Sequence, residues 1–293
     1  MTLRHIKIFT TVCEVGSVTE AAEKLYIAQP SVSLAIKETE EYYGIKLFDR
    51  ISKKLYLTDE GKTMLGYAAH ITALFDEMEN IRNRDGTGLL RIGTSITIGT
   101  HYIPVIVRKF KEANPGSEVN VVINSSEVVE EMLLRNELDC GIMEGFAHSE
   151  YMTTEQLCDD KLCIVCDINH RFCDVCDISA DEFYKEKFLL REKGSGTREL
   201  FDNVAELYGY NIKPLWESTS TKALINAVIY GHGISVIPYK LAEDDIKAGR
   251  LKLLTVNGVG EKLTRKFNLV HHKNKYISSL IKQFIETVYE VLK

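Results

Sequence analysis

Along the first fifteen residues Leu3, Ile6, Phe9, Val12 and Cys13 recur at helical spacing, which predicts an amphipathic helix over residues 2–15. Gly16 stops it. Ser17 and Glu20 then form an S-x-x-E capping box opening a second helix, Val18–Leu25, in which Ala21 and Ala22 let another helix approach closely. Pro30 suits the first turn of a third helix that runs through Ser33, Ile36 and Glu40 to about Tyr43, with Gly44 at its end. Leu47-Phe48-Asp49-Arg50 leads into Ile51–Leu57, read as two short strands around a basic tip. Residues 1–58 therefore predict a winged helix-turn-helix.

Thr58 is the expected N-cap of a long helix to about Asn83. Within it Met64, Tyr67, Ile71, Leu74, Met78 and Ile81 alternate spacings of three and four, the a/d pattern of a dimerising coil. A single amphipathic helix lying on its own domain explains the same spacing. Asp85-Gly86-Thr87-Gly88 closes this linker, residues 59–88. From Leu89 onward short apolar runs alternate with helical patterns. Strands are expected at 89–93, 119–123, 140–143, 162–166, 188–190, 234–237, 251–255 and 267–271. Helices are expected at 100–113, 127–136, 198–208, 220–230 and 276–292. The order predicts an α/β domain over 89–293 with a mostly parallel sheet.

Hydrophobic residues make up 45% of the 293 and charged ones 27%, which excludes a disordered chain. No apolar run approaches the roughly 18–20 residues a bilayer helix needs, and Met1–Lys7 lacks the apolar segment of a secretory signal. The expectation is a cytoplasmic protein with no membrane partner, its seven cysteines kept reduced. A net charge of −6 argues against DNA as a partner until its distribution is considered. Acidic and basic side chains balance over residues 1–62, so the deficit lies beyond them, and Lys46, Arg50, Lys53 and Lys54 gather at the wing. Screening confines distant charges to about 8–10 Å, so such a cluster can still contact phosphate.

The stretch Leu3…Phe9…Gly16-Ser17…Ala21-Ala22…Leu25…Gln29-Pro30-Ser31-Val32-Ser33…Ile36…Glu40…Gly44…Leu47-Phe48-Asp49-Arg50…Leu57-Thr58…Gly61 resembles the DNA-binding domain of LysR-type transcriptional regulators. The length of the whole chain fits that family, with the resemblance strongest in its first fifth. It implies a sequence-specific regulator of double-stranded DNA and not an enzyme. The third helix would enter the major groove, presenting Gln29, Pro30, Ser31, Ser33 and Lys37, while Arg50, Ser52, Lys53 and Lys54 hold the backbone. Helix capping is the competing role for Gln29 and Ser31. Two departures from the family pattern stand out: Leu34-Ala35 stands where Arg-Gln is common, and Ala28 where Ser or Thr usually precedes Gln-Pro. Dimerisation, or a dimer of dimers, implies an operator of approximate dyad symmetry. RNA polymerase is a further candidate partner.

The resemblance also implies a C-terminal domain of periplasmic-binding-protein type, with one lobe of about 89–161 plus 266–293 and another of about 162–265. A small effector would lie between them. Ligands gather at the carboxyl ends of strands in open α/β sheets. There the sequence offers Thr94, Ser95 and Thr97, then Ser125, then Glu144, and in the other lobe Gly194, Ser195, Gly196 and Thr197, with Thr219 before a further helix. Hydroxyl- and glycine-rich turns opening helices suit a small anion, to which Arg198 adds charge. Helix N-capping is the alternative role for each turn. Cys163-x-x-Cys166 and Cys173-x-x-Cys176 offer a metal- or redox-sensing alternative, although residues three apart on a strand point to opposite faces. Peroxide-sensing members of the family carry a reactive cysteine near the segment matching Gly194–Arg198, where this chain has none. No P-loop, nucleophile elbow or H-E-x-x-H motif is present, and no cofactor is implied.

Overall fold

The computed structural model describes residues 1–51, 54–79 and 88–292. They form two compact units, each taken by itself. In the N-terminal unit α1 (Leu3–Val15), α2 (Val18–Lys24) and α3 (Gln29–Tyr43) precede a hairpin of β1 (Phe48–Ile51) and β2 (Lys54–Leu57), and α4 (Asp59–Glu79) follows. Gly16 ends α1 with φ +68°, its N–H donating to the Val12 carbonyl, and the Ser17 hydroxyl accepts from the Glu20 N–H to start α2. The buried face of α1 (Ile6, Phe9, Val12) meets Ala21 and Ala22 of α2, Val32 and Ala35 of α3, and Leu47, Phe48 and Ala68. The rings of Phe9 and Phe48 meet edge to face at 5.6 Å. Thr58 accepts from the Gly61 N–H at 2.9 Å, the expected cap of α4.

The C-terminal unit contains β3 (Leu89–Thr94), α5 (Ile96–His101), α6 (Ile103–Ala113), β4 (Glu118–Ile123), α7 (Ser126–Leu134), β5 (Cys140–Glu144) and β6 (Met152–Asp167). Next come α8 (Ala180–Phe183), β7 (Leu189–Arg191), α9 (Gly196–Leu207), β8 (Trp216–Ser218), α10 (Thr221–Ile229), β9 (Ser235–Pro238) and α11 (Tyr239–Lys247). Last are β10 (Leu251–Leu254), β11 (Thr264–His272) and α12 (Ser279–Leu292). The helix expected over 100–113 is broken at Tyr102, because Pro104 opens α6 and cannot continue α5.

β3 pairs in parallel with β4 and β5, but β11 runs antiparallel to both β5 and β6. The sheet is therefore mixed where a mostly parallel one was expected, because β6 and β11 carry the chain out and back. β6 pairs with β11 through Lys161, with β9 from Leu162 and with β10 from Ile164. Its first half escaped the sequence reading because one face is open: Thr153–Gln156 carry polar side chains, and only Met152, Leu157 and Asp160 are buried there. β7 pairs in parallel with β8 and touches β9 through Phe188 and Ile234.

The lobe built on β3 packs Leu90, Ile92 and Ile142 against Ile106 and Phe110 of α6 and Phe284 and Val288 of α12. In the other lobe β6 is buried on both faces. Ile164 and Cys166 face Phe183, Phe188 and Phe201, while Cys163 and Val165 face Leu224, Val228 and Ala242. Truncating one such phenylalanine to alanine costs about 3–5 kcal/mol.

Candidate functional site

On α3, Val32, Ala35 and Thr39 turn inward. Gln29, Ser33 and Lys37, each four residues apart, consequently share another face. Gln29 and Pro30 are exposed, Ser31 and Ser33 half-buried. The Gln29 amide donates to the Ser33 hydroxyl at 3.1 Å rather than capping the backbone, and the N-cap position is Ala28, which supplies no acceptor. Lys37 lies 3.5 Å from Glu41. Leu34 is 55% exposed, an apolar side chain on the surface of this helix. On the wing Arg50 pairs in register with Leu55 and Lys54 with Ile51. Ser52 and Lys53 lie outside the described residues. Lys46 is engaged by Asp49 at 2.7 Å.

Of the heptad positions, Met64 packs partly against the N-terminal core. Tyr67, Ile71, Leu74 and Met78 are exposed along α4. Ile81 lies outside the described residues.

In the C-terminal unit three of the segments singled out from the sequence, those carrying Thr97, Glu144 and Thr197, converge on one side chain that was not. Arg265 of β11 is buried, and its guanidinium donates to Asp160 and Glu144 at 2.7 Å, to the Thr197 hydroxyl at 2.9 Å and to the Thr97 hydroxyl at 3.3 Å. Glu144, also buried, accepts from the Thr97 N–H at 3.1 Å, and its own carbonyl accepts from the Ser126 hydroxyl. Burial raises the Asp160 carboxyl above its usual range, while the charge of Arg265 pulls it back and that of Glu144 adds to the rise. Two carboxylates thus share one guanidinium inside the protein.

The two lobes meet at this point. The Gly194 carbonyl accepts from the Glu127 N–H at 3.3 Å. A side chain at Gly194, where φ is +83°, would collide with the Glu127 carboxylate. At Gly196 a Cβ would stand 2.7 Å from the Glu144 carbonyl, so glycine is what permits this approach.

The remaining predicted residues have definite places. Thr94 is buried and donates to the Ser95 carbonyl. Ser95 is buried with no partner for its hydroxyl and does not cap α5. Ser125 accepts from the Val128 N–H, and Ser195 from the Arg198 N–H as the cap of α9. Thr219 is exposed on the turn before α10, whose cap is Ser220, and no bond joins it to the Arg265 cluster among the described residues. Arg198 does not supply free charge: it is held by Asp202, Glu217 and the Arg191 carbonyl. Arg265 was legible only as a period-two partner of the buried Phe267 and Leu269.

The cysteines do not form the pairs their spacing suggests. Cys163 donates to the Ile237 carbonyl on one face of β6, and Cys166 belongs to the core on the other. Among the described residues no group of three or more His, Cys, Asp or Glu is placed to hold a metal ion, and no helix is long and apolar enough to cross a membrane.

The model of the bacterial regulatory helix-turn-helix protein of the lysR family matches residues 3–62, and that of the LysR substrate binding domain matches residues 83–293. The uncharacterised HTH-type transcriptional regulator YwqM of Bacillus subtilis (strain 168) is 33% identical over 300 aligned positions, spanning 100% of both chains. A full-length OxyR variant from Pseudomonas aeruginosa superposes with a TM-score of 0.71 at 19% identity, covering 100% of this chain and 94% of that one. The regulatory domain of Synechocystis PCC6803 CcmR, in complex with 2-PG, superposes with a TM-score of 0.65 at 23% identity, covering 71% of this chain and 98% of that domain. With a DNA-reading helix-turn-helix at one end and a two-lobed effector-binding domain at the other, the chain belongs to the LysR family of DNA-binding transcriptional regulators.

Proposed function

We propose that the regulator is cytoplasmic, works as a homodimer or dimer of dimers on a dyad-symmetric operator, and responds to a small anionic effector bound between its lobes. The observation that carries the effector reading is Arg265. It is a buried cation bonded at once to Glu144 and Thr97 of one lobe and to Thr197 of the other. Its anionic partners are the internal carboxylates of Glu144 and Asp160, and an effector carboxylate, phosphate or sulfate would bind by taking the place of Glu144 at the guanidinium. Binding would then exchange one cross-lobe bridge for another and shift the lobes, coupling the site to DNA. The complex of the CcmR regulatory domain with 2-PG supports a small ligand in this class of domain.

On DNA, Gln29, Pro30, Ser31, Ser33 and Lys37 would face the major groove, with Arg50, Ser52, Lys53 and Lys54 on the phosphates. Leu34 replaces a polar contact with an apolar one suited to a thymine methyl group. Tyr67, Ile71, Leu74 and Met78 would form the dimer seam. Thermal-shift measurements against a panel of small carboxylates, phosphates, amines and neutral sugars test the effector class. Stabilisation by anions, absent in Thr197→Val, is expected; stabilisation by amines or sugars alone would overturn the reading.

A further inference from the structure

β6 ends at Asp167, and the chain turns back through residues 168–175 before entering the bridge at Ile178. That turn returns Cys173 to the end of the strand, where its sulfur lies 3.8 Å from the sulfur of Cys166 and donates to the Asp167 carbonyl at 3.1 Å. The two thiols differ in access. Cys166 is fully buried among Ile164, Phe172 and Phe183. Cys173 is half-buried and lines a surface concavity of about 560 Å³ with Asp174, Ile246, Leu251 and Lys252. Burial raises the Cys166 thiol far above its ordinary range, while the charge of Lys252, its register partner on β10, acts in the opposite sense.

We propose that Cys166 and Cys173 form a reversible dithiol–disulfide site, addressed through this concavity by a low-molecular-weight disulfide of the glutathione type. The Cys173 thiolate attacks one sulfur of the small disulfide, forming a mixed disulfide and releasing one small thiolate. The Cys166 sulfur, losing its proton, then attacks the Cys173 sulfur and expels the second small thiol. Two protein thiols are oxidised and one disulfide is reduced to two thiols. Closing the bond requires the sulfurs to come from 3.8 Å to about 2.05 Å, a movement that falls on the 168–175 turn rather than on the strand ladder. The neighbouring Cys163 cannot substitute, because it points through the opposite face of β6.

The test incubates reduced full-length protein with oxidised glutathione, blocks remaining thiols with N-ethylmaleimide and maps tryptic peptides without reduction. Cleavage after Arg171 separates the two cysteines, so their bond appears as a linked peptide pair. The expected result is loss of two of the seven thiols, a 166–173 linkage by fragmentation, and its reversal by dithiothreitol. The linkage should vanish in Cys166→Ser and Cys173→Ser and persist in Cys163→Ser and Cys176→Ser. The Cys163→Ser and Cys176→Ser arms keep the result readable if a change at Cys166 unsettles the core. A linkage through Cys163 or Cys176, or glutathione retained on Cys173 without ring closure, would overturn the proposal, as would an unreactive Cys173.

Discussion

Replacing Arg265 by methionine keeps most of the volume of its stem and removes its charge, leaving Glu144 and Asp160 buried without their shared cation. Both carboxylates and the guanidinium are 4% exposed or less in their side chains, so solvent cannot take over the missing interaction. Breaking a buried ion pair by removing one partner costs about 3–5 kcal/mol. With a urea m-value of about 2–3 kcal/mol/M, the midpoint for the C-terminal unit should fall by about 1–2.5 M. Trp216, the chain's single tryptophan, lies in β8 against the His232 ring and reports on this unit alone. The pH dependence has a definite sign. Asp160 already sits above its ordinary range, and loss of the cation removes the interaction that holds it down. A folded-state pKa above the unfolded value penalises the ionised form, so the penalty is full at high pH and relieved as pH falls toward the folded pKa. The gap between variant and wild type should therefore narrow as pH is lowered from neutral. Glu144→Gln should be milder, about 1.5–3 kcal/mol, because Asp160 still neutralises Arg265. An Arg265→Met midpoint within about 0.3 M of wild type, or a gap that widens on acidification, would refute the assignment of Arg265 as the electrostatic link between lobes.

Other variants probe other parts of the molecule. Lys53→Ala with Lys54→Ala should weaken binding to all DNA sequences alike and reduce the slope of log affinity against log salt by about 0.9 for each phosphate no longer neutralised, measured by fluorescence anisotropy; an unchanged slope removes the wing from the phosphate interface. Leu34→Ala should cost about 1 kcal/mol or more on an operator carrying the contacted thymine and little on one carrying uracil there, in a competition assay. Gly196→Ala should lower the melting temperature of the C-terminal unit while leaving operator binding by the N-terminal unit measurable, since its Cβ meets the Glu144 carbonyl at 2.7 Å. Asp139→Asn removes a carboxylate held by Arg91 and by the buried Lys275, with an expected loss of about 3–5 kcal/mol at neutral pH. Burial alone would raise the Asp139 carboxyl, but Arg91 and Lys275 take it below its usual range. Its contribution is therefore present above the unfolded pKa near 4 and disappears as pH falls through the lower folded value, so wild type and variant should converge in acid.

The N-terminal unit was largely legible because its determinants are local. Gly16 and Gly44 at helix ends, Ser17 as a cap, Pro30 at a helix start and apolar residues three and four apart fix α1 to α3 without reference to distant parts of the chain. The strands of the C-terminal unit were legible where apolar residues run together, as in Cys140–Glu144 and the partly exposed Glu118–Ile123, and missed where polar side chains interrupt them, as in the first half of β6. α11 was missed as well: Tyr239–Lys247 is short and rich in charge, and its apolar stripe is only Tyr239, Ala242 and Ile246.

The sequence by itself determined the family, the winged helix-turn-helix and the chemistry of the turns at the strand ends, because periodicity, caps and breakers act within a few residues. Only the tertiary structure decided which of those turns meet. Thr97, Glu144, Asp160 and Thr197 come together on Arg265, residues separated by as many as 168 positions. It likewise sent Arg198 to Asp202 and Glu217 and paired Cys166 with Cys173 instead of Cys163. Such meetings depend on how strands β6 and β11 cross between lobes and on which side chains lose their water there, and neither follows from spacing along the chain.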